Sequence, residues 1–225
     1  MTTEIQHPPH AGEIAIQSRE RLLDAAERLF AERGFHGASV REITTRAHCN
    51  VAAINYYFGG KLSLYAEVFR RRLAALREHR IARVRTTLDR AGDEASLELV
   101  LTAFAQAFME PFVGRSEGRM LMQLIGRELL DAQLPPGLFR REMIQPVRAA
   151  LEDAFHRVAP GVGPAAMSLC VESFIGQLSH LLSMQRYEGT ECDDASAAPP
   201  LATVLEHIVR FTSAGIRAYS EGSTT

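Results

Sequence analysis

One stretch of twelve residues, NVAAINYYFGGK at positions 50–61, concentrates side chains suited to gripping a partner. It holds two amides, two phenols and Lys61, the only lysine in a chain whose other basic residues, histidine aside, are all arginine. Amides both donate and accept hydrogen bonds, phenolic hydroxyls bond single oxygens, and an ammonium is a compact point charge. Gly59 and Gly60 end the aromatic run, so Lys61 opens the next helix, where free backbone amides and the helix dipole favour a phosphate. These groups bind; they do not make or break bonds. The sequence shows no HExxH, no ExxH pair, no Ser-His-Asp logic and no phosphate loop, so a helical-bundle enzyme has no support. His48 and Cys49 lack further ligands at metal spacing, and neither a metal nor a cofactor is expected.

The elements that must position this stretch are helices. SRERLLDAAERLFAERGF places Leu22, Ala26, Leu29 and Phe30 on one stripe, with Ser18 as the expected N-cap and Gly34 as the stop. SVREITTRA opens with Ser39 and Glu42, a capping-box spacing, and puts Val40, Ile43 and Ala47 on one face. Asn50 is a good cap for a third short helix. Three such helices, the last two joined by a tight turn, make a helix-turn-helix candidate. Phe35, Ile54 and Phe58 join the apolar set that must hold the third helix. Its outward residues Val51, Ala52, Ala53 and Asn55 are short enough for the backbone to enter a major groove roughly 12 Å wide.

The remainder reads as helices too, and the expected fold class is all-α. A long helix over 61–88 carries seven arginines. Pro111 marks a break, Pro135-Pro136-Gly137 a stop, and Pro146 a kink inside LFRREMIQPVRAALEDAFHRV. The expected organisation is a loose tail over 1–17, a DNA-binding domain over 18–64, and a helical ligand-binding and dimerisation domain over 65–225. Charge follows the same division. Residues 18–90 hold fifteen Lys or Arg against eight Asp or Glu, while 91–225 hold ten against seventeen. A basic N-terminal third on an acidic body fits a nucleic-acid reader. Cys49, Cys170 and Cys192 are odd in number and lack CxxC spacing, which points to free thiols. The tail has no secretory pattern, and no stretch approaches about 18 uncharged apolar residues, so a cytoplasmic protein without a membrane span is expected.

SRERLLDAAERLFAERGFHGASVREITTRAHCNVAAINYYFGGKLSLYAEVF resembles the DNA-binding domain of the TetR family of transcriptional regulators, continuously over about fifty residues. The NVAAINYYFGGK form is most similar to the CecR-like branch. The resemblance implies a role for each position. Ser39 caps the second helix and offers a hydroxyl to phosphate. Arg41 reaches a guanine edge, Val51 and Ala52 meet thymine methyls, and Asn55 pairs with adenine. Asn50 caps beside them, Tyr56 and Tyr57 grip the DNA backbone, and Lys61 holds a phosphate. The competing roles are capping alone for Ser39, a surface ion pair for Arg41 and packing for Tyr57. Two departures stand out: His48 occupies a turn position where glycine is usual, and Asn55 replaces a common tyrosine.

In the second domain, Phe104, Phe108, Met109, Met122, Ile125 and Phe174 suit a pocket for a small hydrophobic effector, with Glu128 and Gln177 to orient it. Any one of these residues is more often core than pocket lining. Ser173, Gly176, Ser179, His180 and Ser183 form a row on one late helix, and Leu205, Ile208, Val209 and Ile216 supply apolar area on the next. Paired across a two-fold axis they would make a four-helix homodimer interface. The expected protein is a ligand-released repressor on a palindromic double-stranded operator. A helical adaptor using the same surface for a protein partner is the rival, and competition with nonspecific DNA separates the two.

Overall fold

The computed structural model describes residues 11–113, 116–191 and 199–221, and every regular element among them is helical. Cys192 and most of the polar loop before Pro199 lie outside the described residues, as do positions 1–10 of the expected tail. Nine α-helices run along the described chain: α1 Ala11–Gly37, α2 Val40–Arg46, α3 Ala52–Phe58, α4 Lys61–Ala91, α5 Leu97–Met109, α6 Ser116–Leu130, α7 Gln145–Val158, α8 Pro164–Glu191 and α9 Leu201–Glu221. Helix α1 starts well before the expected cap. Ser18 is therefore mid-helix, its Oγ accepting from Arg21 Nη2 at 3.1 Å, because no proline follows Pro9 to stop the helix propagating backward. The expected stop holds: Gly34 sits at φ 74°, a conformation that costs glycine little.

The described chain forms two compact units. The first comprises residues up to Arg72 together with 114–138; the second comprises 73–113 and 139–225. The expected boundary after residue 64 misses this, because 65–72 and α6 pack with the N-terminal helices. Arg127 on α6 donates to the Ala31 and Glu32 carbonyls of α1 at 2.8 and 2.5 Å. The Tyr65 hydroxyl donates to Glu128 at 3.0 Å. Both links join residues more than sixty positions apart, beyond the reach of any local pattern.

The core of the first unit is the expected stripe. Leu22, Ala26, Leu29, Phe30, Ile43, Ala47 and Ile54 are all buried, while Phe35 and Val40 are half-buried. Among these apolar groups lies one charge, Glu27, 1% exposed. It meets Arg71 at 2.8 Å and Arg72 more closely still, fastening α1 to α4. A carboxylate so deep would be costly without both partners.

In the second unit, α5 is buried along most of its length, and Phe104, Phe155 and Phe174 form a continuous aromatic line with centroids 5.7 and 6.4 Å apart. A 3-10 turn at Glu110–Phe112 ends α5 at Pro111, as expected. The expected kink at Pro146 takes another form. A π-helical turn over Arg140–Ile144 precedes α7, and Pro146 falls at the start of α7, where a missing N–H costs little. In helix α8, Pro164–Met184 is apolar enough to cross a bilayer by length and composition alone. It nevertheless carries Glu172, paired with Arg148 at 2.7 Å, and sends Val171, Phe174 and Leu178 into the core.

Candidate nucleic-acid interface

The interface is built on two reciprocal caps. Ser39 Oγ accepts from the Glu42 amide at 3.1 Å, and Glu42 Oε2 accepts from the Ser39 amide at 3.3 Å. The Ser39 hydroxyl also donates to Glu42 at 2.9 Å, so capping already employs it. Arg33 adds an ion pair to Glu42 at 2.6 Å. The Ser39 hydrogen bond first, and Arg33 second, hold the Glu42 carboxyl below its ordinary range.

The turn into α3 is a Schellman motif. The His48 amide donates to Thr45 O at 3.1 Å, and the Cys49 amide to Thr44 O at 2.9 Å. His48 takes φ 53° in place of the usual glycine, so the departure in the sequence is absorbed by a left-handed histidine rather than by a different turn. Asn50 Oδ1 then accepts from the Ala52 amide at 2.9 Å, giving α3 the cap expected of it. At the far end, Gly59 is left-handed at φ 75° and donates to Asn55 O at 3.0 Å. Gly60 accepts from Leu64, and α4 begins at Lys61.

Between these ends α3 has two unlike faces. Ile54 and Phe58 are buried, and the Arg19 guanidinium lies over the Phe58 ring at 5.3 Å. Val51, Ala52, Asn55 and Tyr56 are exposed, Tyr56 to 81%. Tyr57 is half-buried, edge-on to Tyr56 at 4.9 Å. Arg41 is exposed on α2 and makes no ion pair among the described residues. Lys61 does have a second employment. Its Nζ sits 4.4 Å from the Phe35 ring centroid, and partial burial lowers its pKa from the ordinary lysine value. The Phe35 contact was missed because it joins the end of α1 to the start of α4. The same is true of the contact that Arg127 of α6 makes with α1; neither pairing has a sequence signal.

The expected effector residues are divided between the two units. Phe104, Phe108, Met109 and Phe174 are buried in the core of the second unit, and Gln177 donates to Thr212 at 3.3 Å, joining α8 to α9. Met122, Ile125 and Glu128 belong to the first unit. Glu128 is occupied there, accepting from Tyr65 and from the Gln133 and Leu134 amides. Part of the expected dimer face is also corrected. Ile208, Val209 and Ile216 are buried within their own chain, because the apolar stripe of α9 packs on α5 and α8. Leu205 is half-buried. Ser173, Gly176, Ser179, His180 and Ser183 on α8 are exposed, and so are Leu169, Met184, Phe211 and Tyr219.

Fold and site define a helix-turn-helix DNA-binding protein with a second helical unit. The family model for bacterial regulatory proteins of the tetR family matches residues 22–68. The tetracyclin repressor-like C-terminal domain matches residues 102–215. The chain belongs to the TetR family and is a DNA-binding transcriptional regulator. It is 28% identical to the HTH-type transcriptional regulator SrpR of Pseudomonas putida over 186 residues, 81% of this chain and 80% of that protein. Against the HTH-type transcriptional repressor NicS of the same species it is 36% identical over 87 residues, covering 38% of this chain and 40% of NicS. The match to YttP of Bacillus subtilis, 44% identical over 48 residues, covers 21% of this chain and only 23% of that relative. An inferred transcriptional regulator of Pseudomonas aeruginosa PAO1 shares the fold, with TM-score 0.65 at 20% identity over 99% of this chain and 98% of that one.

Proposed function

We propose that the protein is a homodimeric repressor that holds a palindromic operator and leaves it when a small hydrophobic effector binds the second unit. The observation that carries this reading is the two-faced α3: Ile54 and Phe58 hold it from behind while Val51, Ala52, Asn55 and Tyr56 face outward. On this reading Val51 and Ala52 contact thymine methyls, Asn55 reads adenine and the unpaired Arg41 reads guanine. Tyr56, Tyr57 and Lys61 contact phosphates. Ser39 and Asn50 act mainly as caps, since their side-chain oxygens already bond backbone amides. Repression follows NicS, whose name describes a repressor. The finer placement in the CecR-like branch rests on the form of NVAAINYYFGGK.

The dimer is proposed to form through α8 and α9. Leu169, Gly176, His180 and Ser183 recur at helical spacing on exposed α8, as do His207, Phe211, Ala214 and Ala218 on exposed α9. Covering this surface in a second copy gives an apolar α8 a reason to exist in a water-facing chain. Two-fold symmetry then sets the half-sites about 34 Å apart. Footprinting on DNA flanking the gene, with light scattering for mass, tests the reading. Two symmetric protected half-sites and a mass twice 24.9 kDa are expected. A monomer, or no protection at moderate salt, rejects it.

A further inference from the structure

The second unit contains a buried charge without a counter-charge among the described residues. Arg80 on α4 is 5% exposed, and it forms no ion pair among the described residues. Its guanidinium lies 3.9 Å from the Phe108 ring centroid, and one terminal nitrogen donates a long 3.5 Å bond to the Phe108 carbonyl. Its Nε is buried without a partner. The neighbouring His79 repeats the pattern: its Nε2 is buried and 3.2 Å from Glu110, but not aligned for a hydrogen bond. Glu110 is instead engaged by Arg83 at 2.9 Å. The two buried side-chain nitrogens left unsatisfied among the described residues therefore belong to adjacent residues of one helix.

A guanidinium carries five donors in a planar fork that matches a carboxylate, and burying it unpaired is strongly unfavourable. Burial alone pushes the Arg80 pKa down to about 9. The native core rarely keeps such a group without a use. Arginine over a phenyl face is also a ready receptor for a group that is charged at one end and apolar at the other.

We propose that Arg80 is the anchor for the carboxylate of an apolar monocarboxylic acid, whose hydrocarbon part inserts beside Phe108 and the Phe104–Phe174 line. This inference rests on the effector-controlled reading and names the chemical class of the effector. Glu128, expected from the sequence to orient the ligand, has the wrong charge for such a molecule and lies in the other unit.

The experiment uses the full chain bound to its footprinted operator. Octanoate, dodecanoate, benzoate and phenylacetate are each compared with the matching alcohol, in wild type, Arg80→Met and Arg80→Lys. Thermal shift and release of labelled operator are both read. At least one acid is expected to stabilise the wild type and release DNA at concentrations where its alcohol does neither. Arg80→Met should keep operator binding and ligand-free stability while weakening that acid about 10–100-fold. Arg80→Lys, which keeps the charge but not the fork, should fall between. The proposal is overturned if no acid outperforms its alcohol, if Arg80→Met binds the acid as wild type does, or if both variants unfold without ligand. Alcohols that release DNA equally from all three proteins overturn the acid class yet leave effector control standing. Failure of the wild type to hold any operator rejects the effector-controlled reading itself.

Discussion

The reading head and the second unit are stabilised by different means. Around α2 and α3, order comes from short-range hydrogen bonds: a capping box, a Schellman turn, an asparagine cap and a left-handed glycine, each spanning six residues or fewer. In the second unit the corresponding work falls to aromatic packing between helices far apart in sequence, such as Phe104 with Phe174. Local bonds fix the orientation of a short helix, which a base-reading surface needs. Apolar packing fixes volume but tolerates rearrangement of soft side chains, which suits the effector-binding role proposed for that unit.

The contrast can be broken most forcefully in the second unit. Phe174→Ala, at a site with no exposed surface, is expected to destabilise by about 3–5 kcal/mol in urea unfolding. A loss under about 1 kcal/mol would mean the aromatic line is not a core. Next comes the buried ion-pair cluster of the first unit. Glu27→Ala removes the partner of Arg71 and Arg72, with an expected cost of about 2–3 kcal/mol, below that of a fully buried pair because both arginines remain near 30% exposed. Operator affinity should fall in parallel, and unchanged affinity would show that α1–α4 docking does not set the reading head.

Smaller effects test the local devices. Ser39→Ala should cost about 1 kcal/mol. Because Glu42 has a depressed pKa in the folded state, its capping contribution is present above the ordinary carboxylate range and is lost as pH falls through the folded value. The stability gap between wild type and Ser39→Ala should thus narrow at low pH without closing, since the Glu42 amide still donates to Ser39 Oγ, and a constant gap down to pH 2 would argue against the capping box. His48→Gly should act in the opposite direction, raising stability by about 0.5–1 kcal/mol by relieving a left-handed residue. If melting instead drops, the histidine contributes more than its strain.

A stability change of similar size is expected at Lys61, whose contact with Phe35 is worth about 0.5–1 kcal/mol. Lys61→Ala should also reduce the salt dependence of operator binding by about one unit of slope. Loss of stability with an unchanged slope would assign the lone lysine to packing alone.

These residues also mark how far the sequence could be read. Ser39 with Glu42, Asn50 before Ala52 and Gly59 were legible because their partners lie within one turn of helix, where residue type and spacing dictate geometry. The outward face of α3 was legible for the same reason, as periodicity separates Ile54 and Phe58 from Asn55 and Tyr56. The start of α1 was misjudged at Ser18, since a cap-forming residue is no stop when the preceding segment can also be helical.

The sequence by itself determined the helical class, the helix-turn-helix and the residues that face away from it, because these follow from backbone hydrogen bonding and period. Tertiary structure decided that α6 belongs with the reading head, that Ile208 and Val209 face inward on α9, that Glu128 is occupied by Tyr65, and that Arg80 is buried with no counter-charge among the described residues. Those facts depend on which helix faces which. An apolar stripe says only that a helix must be covered, and the choice of cover is made by packing across the whole fold.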